Sequence, residues 1–398
     1  MTRNKYFLPL IMLTSLFFLW GFAHSILDVL NKHFQEVLVI SKARSAMVQT
    51  VVYGGYFLMA LPAGYFMKQF GYKKGVVFGL ILYGIGALLF IPAEKIMSFN
   101  YFLFSLFVIG CGLTFLETAA NPYVTELGDK ESASGRLNLA QSFNGLGWII
   151  GPLLGGMLIF QQDGGHGSVA FPYTVIGVVV LLVAVFFIRI PLPEINLPET
   201  NTAEKKSLWL NRLFLFGVIA QFFYVGAQTG INSFFINYVT EINPAITSRT
   251  AALILSFGGM GLFMTGRFVG SWLMRSIQAV KLLRIAAMGA MISMILVIAA
   301  IPTISIIALF LTYLFESIMF PTIFALSISG LGEQTKQGSS FLIMSIVGGA
   351  IAPVLMGLLG EKNMAIGFII PLCCFAVVYL FSRYFLKTNN GSCWVNEE

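Results

Sequence analysis

The chain has 398 residues, of which 57% are hydrophobic and 10% charged, and its mean hydropathy is +0.85. A soluble domain carries about 25% charged residues, so this composition excludes a water-soluble globular protein and predicts an all-α protein embedded in a lipid bilayer. The formal net charge of +7 fits loops that collect Lys and Arg on the cytoplasmic side and is no sign of nucleic-acid binding.

A membrane helix needs about 20 mostly apolar residues. Taken in chain order, the first six candidates cover roughly 6–31, 44–68, 74–94, 100–127, 135–161 and 169–190. The first of them follows a short basic start and lacks a small-residue cleavage site, so it reads as a membrane helix and not as a removed signal. Then comes PLPEINLPETNTAEKKS (191–207), which holds three prolines, three glutamates and two lysines and has no apolar face. It reads as a cytoplasmic linker. Six further candidates follow at roughly 210–239, 248–274, 279–300, 303–330, 337–359 and 364–386. The expected organisation is a bundle over 1–190, a linker over 191–207 and a second bundle over 208–398.

Seventeen of the 24 Lys and Arg fall at the termini and in the loops on their side, six in the opposite loops, and Arg267 inside a span. That bias predicts both termini in the cytoplasm. The halves also echo each other. NPYVTELGDKE (121–131) and FPTIFALSISGLGEQT (320–335) each follow an expected helix break, and GWIIGPLLGG (147–156) resembles GGAIAPVLMG (348–357). Such parallel repeats predict a substrate site near mid-membrane, between the halves.

Polar residues inside the spans carry the functional argument. Asp28, Glu117 and Glu316 are carboxyls within apolar runs. Desolvation disfavours the ionised form of a buried carboxyl, so such a group can load a proton on one side of the membrane and release it on the other. Intramembrane acids are usually functional; the alternative is a structural carboxyl bonded to a neighbouring helix, an option most open for Glu316. His24 lies four residues before Asp28 on the same helix face, where the two either relay protons, bind a hydroxyl or simply pair. Asn138, Gln141 and Asn144 recur at spacings of three, and Gln221, Tyr224, Gln228 and Asn232 share one face of the seventh span. Two uncharged amide stripes suit a neutral, hydroxyl-rich ligand such as a sugar; interhelical hydrogen bonds are the other reading. Arg267 reads as structural, and GYFMKQFGYKK (64–74) as a hinge or gating loop. The chain lacks a phosphate-binding loop, HExxH and GxSxG, so no enzyme and no ATP-driven pump is expected.

With these residues in place, the chain resembles the major facilitator superfamily. LETAANPYVTELG (116–128), RLNLAQSFN (136–144), YVGAQT (224–229), GRFVG (266–270), FPTIFAL (320–326) and GSSFLIM (338–344) are similar to the L-fucose/proton symporter family, which includes glucose/galactose transporters. The resemblance spans essentially the whole chain. It implies twelve transmembrane helices in two pseudo-symmetric six-helix bundles and proton-coupled import of L-fucose or a related hexose by alternating access. Asp28 and Glu117 are then the proton-coupling pair, with Asp28 also binding sugar. Asn144 and Gln228 line the sugar cavity. Gln141, Asn232, Tyr224, Glu316 and His24 are expected beside them, with Phe320 as a ring to stack on sugar. His24 and Glu316 depart from the family pattern, at positions where amides and neutral residues are common. The expected partners are a sugar and the bilayer of a bacterial inner membrane. The co-transported proton is the coupling ion, no cofactor or metal is expected, and the chain is expected as a monomer. Sodium-coupled glucose/galactose transport is the nearest alternative, followed by a non-transporting sugar sensor, for which residues 387–398 offer too short an output segment.

Overall fold

The computed structural model describes residues 7–126, 133–160, 167–190, 208, 211–274, 276–329, 331 and 334–392. The expected linker at 191–207 lies outside them, apart from its neighbour Leu208. The long helices, labelled in chain order, are α1 Phe7–Leu38, α2 Met47–Phe70, α3 Tyr72–Ile96, α4 Phe99–Glu126, α5 Ala133–Leu158 and α6 Ala170–Arg189. They continue as α7 Arg212–Ile242, α8 Ser248–Leu273, α9 Ala279–Ile298, α10 Pro302–Ile328, α11 Phe341–Leu359 and α12 Met364–Thr388. Among the described residues, eleven helices are long and apolar enough to cross a membrane. With the 26-residue α5, twelve helices are present, as expected from the apolar runs. Their outer faces carry large apolar side chains in the open, among them Phe186, Trp272 and Leu311, which is the arrangement a hydrocarbon solvent favours.

The chain divides into two compact units. The first comprises residues 1–40, 47–199 and 247–256; the second comprises 41–46, 200–246 and 257–398. The boundary inside α8 falls within a π-helical stretch, Leu255–Met260. In the first unit α1 packs on α5, and in the second α7 packs on α11. Both pairs approach backbone to backbone because glycine sits at the crossing. A Cβ on Gly147 would collide with the α1 backbone at Phe18 and Phe22, and one on Gly348 with the α7 backbone at Phe222. These two glycines open the GWIIGPLLGG and GGAIAPVLMG segments, so the sequence echo marks one packing device used in each unit. In the second unit Lys42 Nζ lies 2.6 Å from Glu241 and donates to the Gly360 carbonyl at 2.7 Å.

Two expected breaks turn out differently. α10 is interrupted at Ser317–Ile318, between Glu316 and Met319. Pro321 is the cause: it has no N–H for the carbonyl four residues earlier, that of Ser317, and its ring crowds it. Asn121 and Pro122, in contrast, do not break α4, which continues to Glu126. A single missing backbone bond near a helix end is tolerated where packed neighbours hold the chain. The segment at 64–74 turns at Gly71, whose φ of +85° is a conformation glycine adopts without strain.

Candidate functional site

In the first unit the polar side chains converge on α1. Tyr56 of α2 is the junction. Its hydroxyl lies 3.0 Å from His24 Nε2, and the residue neighbours the Glu117 carboxyl of α4 and the Trp20 indole of α1. The His24 ring stacks on Trp148 of α5 at 6.1 Å, with Tyr53 at 5.5 Å. One turn along α1, Asp28 is 2% exposed and accepts from the Gln49 side chain at 2.9 Å. Glu117 is 9% exposed. Each carboxyl therefore has a neutral neighbour, Tyr56 for Glu117 and Gln49 for Asp28, whose Oδ2 is buried without a hydrogen-bond partner. Sequence reading missed Gln49, Tyr53 and Tyr56, which follow one another at spacings of four and three along α2. That spacing puts them on one helix face, and it is the signal that could have found them.

The expected stripe on α5 divides. The Asn144 amide donates to the Phe17 carbonyl of α1 at 3.1 Å, which ties two helices together and leaves its carbonyl oxygen for other partners. Gln141 is half-buried. The side chain of Asn138 lies outside the described residues.

In the second unit, Gln221, Tyr224, Asn232 and Glu316 are buried. The Tyr224 hydroxyl donates to the Glu316 carbonyl at 2.9 Å, and its ring lies 6.3 Å from that of Phe320. Arg267 lies over the Phe263 ring, and its Nε is 3.4 Å from the Ser317 carbonyl. That is the carbonyl left without a helical partner by Pro321. Arg267 therefore braces the break in α10. Both carboxyl oxygens of Glu316, both amide atoms of Gln221 and the Asn232 side-chain oxygen are buried without a hydrogen-bond partner. Gln228 is half-buried. Among the described residues no cluster of His, Cys, Asp or Glu is suited to hold a metal.

Glu117 and Glu316 occupy equivalent places in the two repeats. Each lies five residues before a proline, Pro122 or Pro321. The acid in α10 is thus the counterpart of the acid in α4, with a different environment.

Comparison with known proteins agrees with this architecture. The Major Facilitator Superfamily pattern matches residues 10–353. The chain is 39% identical to the L-fucose-proton symporter of Escherichia coli (strain K12), over 97% of this chain and 94% of that one. It is 37% identical to the glucose/galactose transporter of Brucella abortus biovar 1 (strain 9-941), over 96% and 94%. The crystal structure of the Major Facilitator Superfamily transporter FucP in the outward conformation matches with a TM-score of 0.70 and 38% identity, covering 96% of this chain and 99% of that one. The chain belongs to the major facilitator superfamily and shares its family with these sugar transporters. The proteins it matches are transporters, not enzymes.

Proposed function

We propose that the protein is a proton-coupled symporter that imports L-fucose or a closely related hexose by alternating access. The observation that carries this reading is Glu117, a carboxyl buried within an apolar span with a tyrosine, not a cation, as its neighbour. An ionised carboxylate buried without a counter-ion is costly, and a proton removes that cost. Relatives at 39% and 37% identity named for proton-coupled fucose transport and for glucose/galactose transport supply the substrate class. Glu117 carries the coupling proton. Asp28, held by Gln49, accepts from sugar hydroxyls and shares in coupling. Gln141, Gln228 and the free oxygens of Asn144 and Asn232 are the amide contacts, and Glu316 is a further hydroxyl acceptor. Tyr224 is fixed to the α10 backbone, and with Phe320 it offers ring faces to the sugar's C–H surface. The protein works as a monomer in a bacterial inner membrane, with both termini cytoplasmic, as the Lys and Arg bias requires.

External pH in a lightly buffered suspension of expressing cells tests the proposal, during anaerobic additions of L-fucose, galactose, glucose and N-acetylglucosamine in turn. Alkalinisation with L-fucose is the expected result. Alkalinisation with galactose or glucose alone keeps the mechanism and moves the substrate to that of the glucose/galactose relatives. Labelled-sugar uptake with no pH change, and with dependence on sodium, overturns proton coupling.

A further inference from the structure

Two side chains of α2 reach α1 in a regular pattern. The Gln49 amide donates to Asp28 Oδ1 at 2.9 Å, and two turns further along α2 the Tyr56 hydroxyl lies 3.0 Å from His24 Nε2. His24 and Asp28 stand one turn apart on α1 and share a face. Each bond uses one polar atom of its α1 residue and leaves the other over. His24 Nδ1 and Asp28 Oδ2 are both buried without a hydrogen-bond partner, in side chains that are 6% and 2% exposed. They do not bond to each other.

Neither group is free to turn its leftover atom elsewhere. Tyr56 holds Nε2, the Trp148 ring stacks on the imidazole at 6.1 Å, and Tyr53 and Trp20 lie at 5.5 and 6.3 Å. Gln49 fixes the Asp28 carboxyl in the same way. Side chains four apart on a helix hold their Cβ atoms about 5–6 Å from one another. Two hydrogen bonds of about 2.7–3.0 Å that meet at one atom span the same distance. A hydroxyl can make both at once, because it offers one hydrogen and two lone pairs.

We propose that His24 Nδ1 and Asp28 Oδ2 clamp a single hydroxyl of the sugar. The inference rests on the reading of Asp28 as a sugar contact. The hydroxyl donates to Oδ2 and accepts from Nδ1–H, while Nε2 accepts from Tyr56. One ligand atom then satisfies both leftover groups. His24 is thereby a specificity residue: a sugar without that hydroxyl leaves two buried polar atoms unpaired, which is the situation in which a site rejects an analogue most strongly. The clamp also gives histidine a use at position 24. Its rigid ring accepts on one edge from α2 and donates on the other to the ligand.

The test is equilibrium binding of L-fucose and its monodeoxy analogues to the full chain in lipid nanodiscs. One analogue should bind the wild type about a hundredfold more weakly than L-fucose, the scale of two hydrogen bonds at about tenfold each. His24→Phe and Asp28→Ala should each weaken L-fucose binding about tenfold or more, yet bind that same analogue as the wild type does. Losses that simply add for every analogue, or variants that couple to different hydroxyls, overturn the clamp. Nitrogen NMR of the wild type with labelled histidine keeps the proposal falsifiable if a variant does not fold. Among His24, His33 and His166, saturating L-fucose should shift the Nδ1–H signal of one, and no shift at Nδ1 overturns the clamp. If the wild type binds galactose or glucose in place of L-fucose, the monodeoxy series of that sugar decides by the same criteria. A wild type that binds none of these sugars overturns the sugar reading and the clamp with it. Sugar binding with additive losses overturns the clamp alone.

Discussion

Glu117 and Glu316 are repeats of one another, yet their surroundings differ. Glu117 neighbours Tyr56, whose hydroxyl lies 3.0 Å from His24 Nε2, and nearby Asp28 is held by Gln49. Glu316 on α10 and Gln221 on α7 keep their side-chain polar atoms buried and unpaired. A buried polar group without a partner costs roughly 1–3 kcal/mol; Glu316 and Gln221 bear that cost at every side-chain polar atom, whereas Asp28 bears it at Oδ2 alone. The first unit has the makings of a preset proton device, in which each acid has a neutral neighbour. The second has the makings of a ligand surface, in which acceptors and donors are held ready on a rigid scaffold. Sequence symmetry between the halves thus does not extend to the chemistry of their acids.

Experiments can break this contrast at several levels. The largest effect should come from the shared scaffold. Gly147→Val and Gly348→Val each drive a side chain into backbone, and both should abolish folded protein in size-exclusion profiles of detergent extracts. Folded protein from either variant would show that the helix crossings are looser than the structure has them. Next is the contrast between the acids. Glu117→Gln should reduce the sugar accumulation ratio to about one while exchange of labelled sugar continues, since binding survives and coupling does not. Glu316→Gln should keep uphill accumulation and weaken apparent affinity by roughly tenfold, a loss of about 1.4 kcal/mol. Accumulation lost in Glu316→Gln would make the two acids functionally alike and dissolve the distinction.

Smaller effects should appear in stability. Gln49→Leu strips Asp28 of its donor and should destabilise the protein by about 1–3 kcal/mol, read as a lower midpoint in thermal unfolding. Gln221→Leu removes an amide that already lacks partners and should leave that midpoint unchanged or raise it, while sugar affinity falls. A matching loss of stability in both variants would show that the second unit is as internally satisfied as the first. The smallest change is expected for Asn144→Ala, which loses one bond to the Phe17 carbonyl. A side-chain bond between membrane helices contributes about 0.6 kcal/mol.

The sequence alone determined the class of the molecule. Apolar runs of bilayer length, the Lys and Arg bias and the paired glycine segments follow from local chemistry and from the solvent the chain must face. It also singled out Asp28, Glu117, His24 and Glu316, because a polar group inside an apolar run is conspicuous wherever the helix ends up. Tertiary structure decided what each group touches. Tyr56 and Gln49 sit in an ordinary-looking amphipathic stretch of α2, and only the packing of α2 against α1 and α4 makes them partners of His24, Asp28 and Glu117. Asn144 looked like a ligand group but also braces α1, a role set by a backbone carbonyl that no side-chain pattern reveals. Of two prolines at equivalent places in the repeats, one interrupts its helix and the other does not. The sequence marks the missing N–H in both, while the packing around each helix decides whether the backbone bends to relieve it.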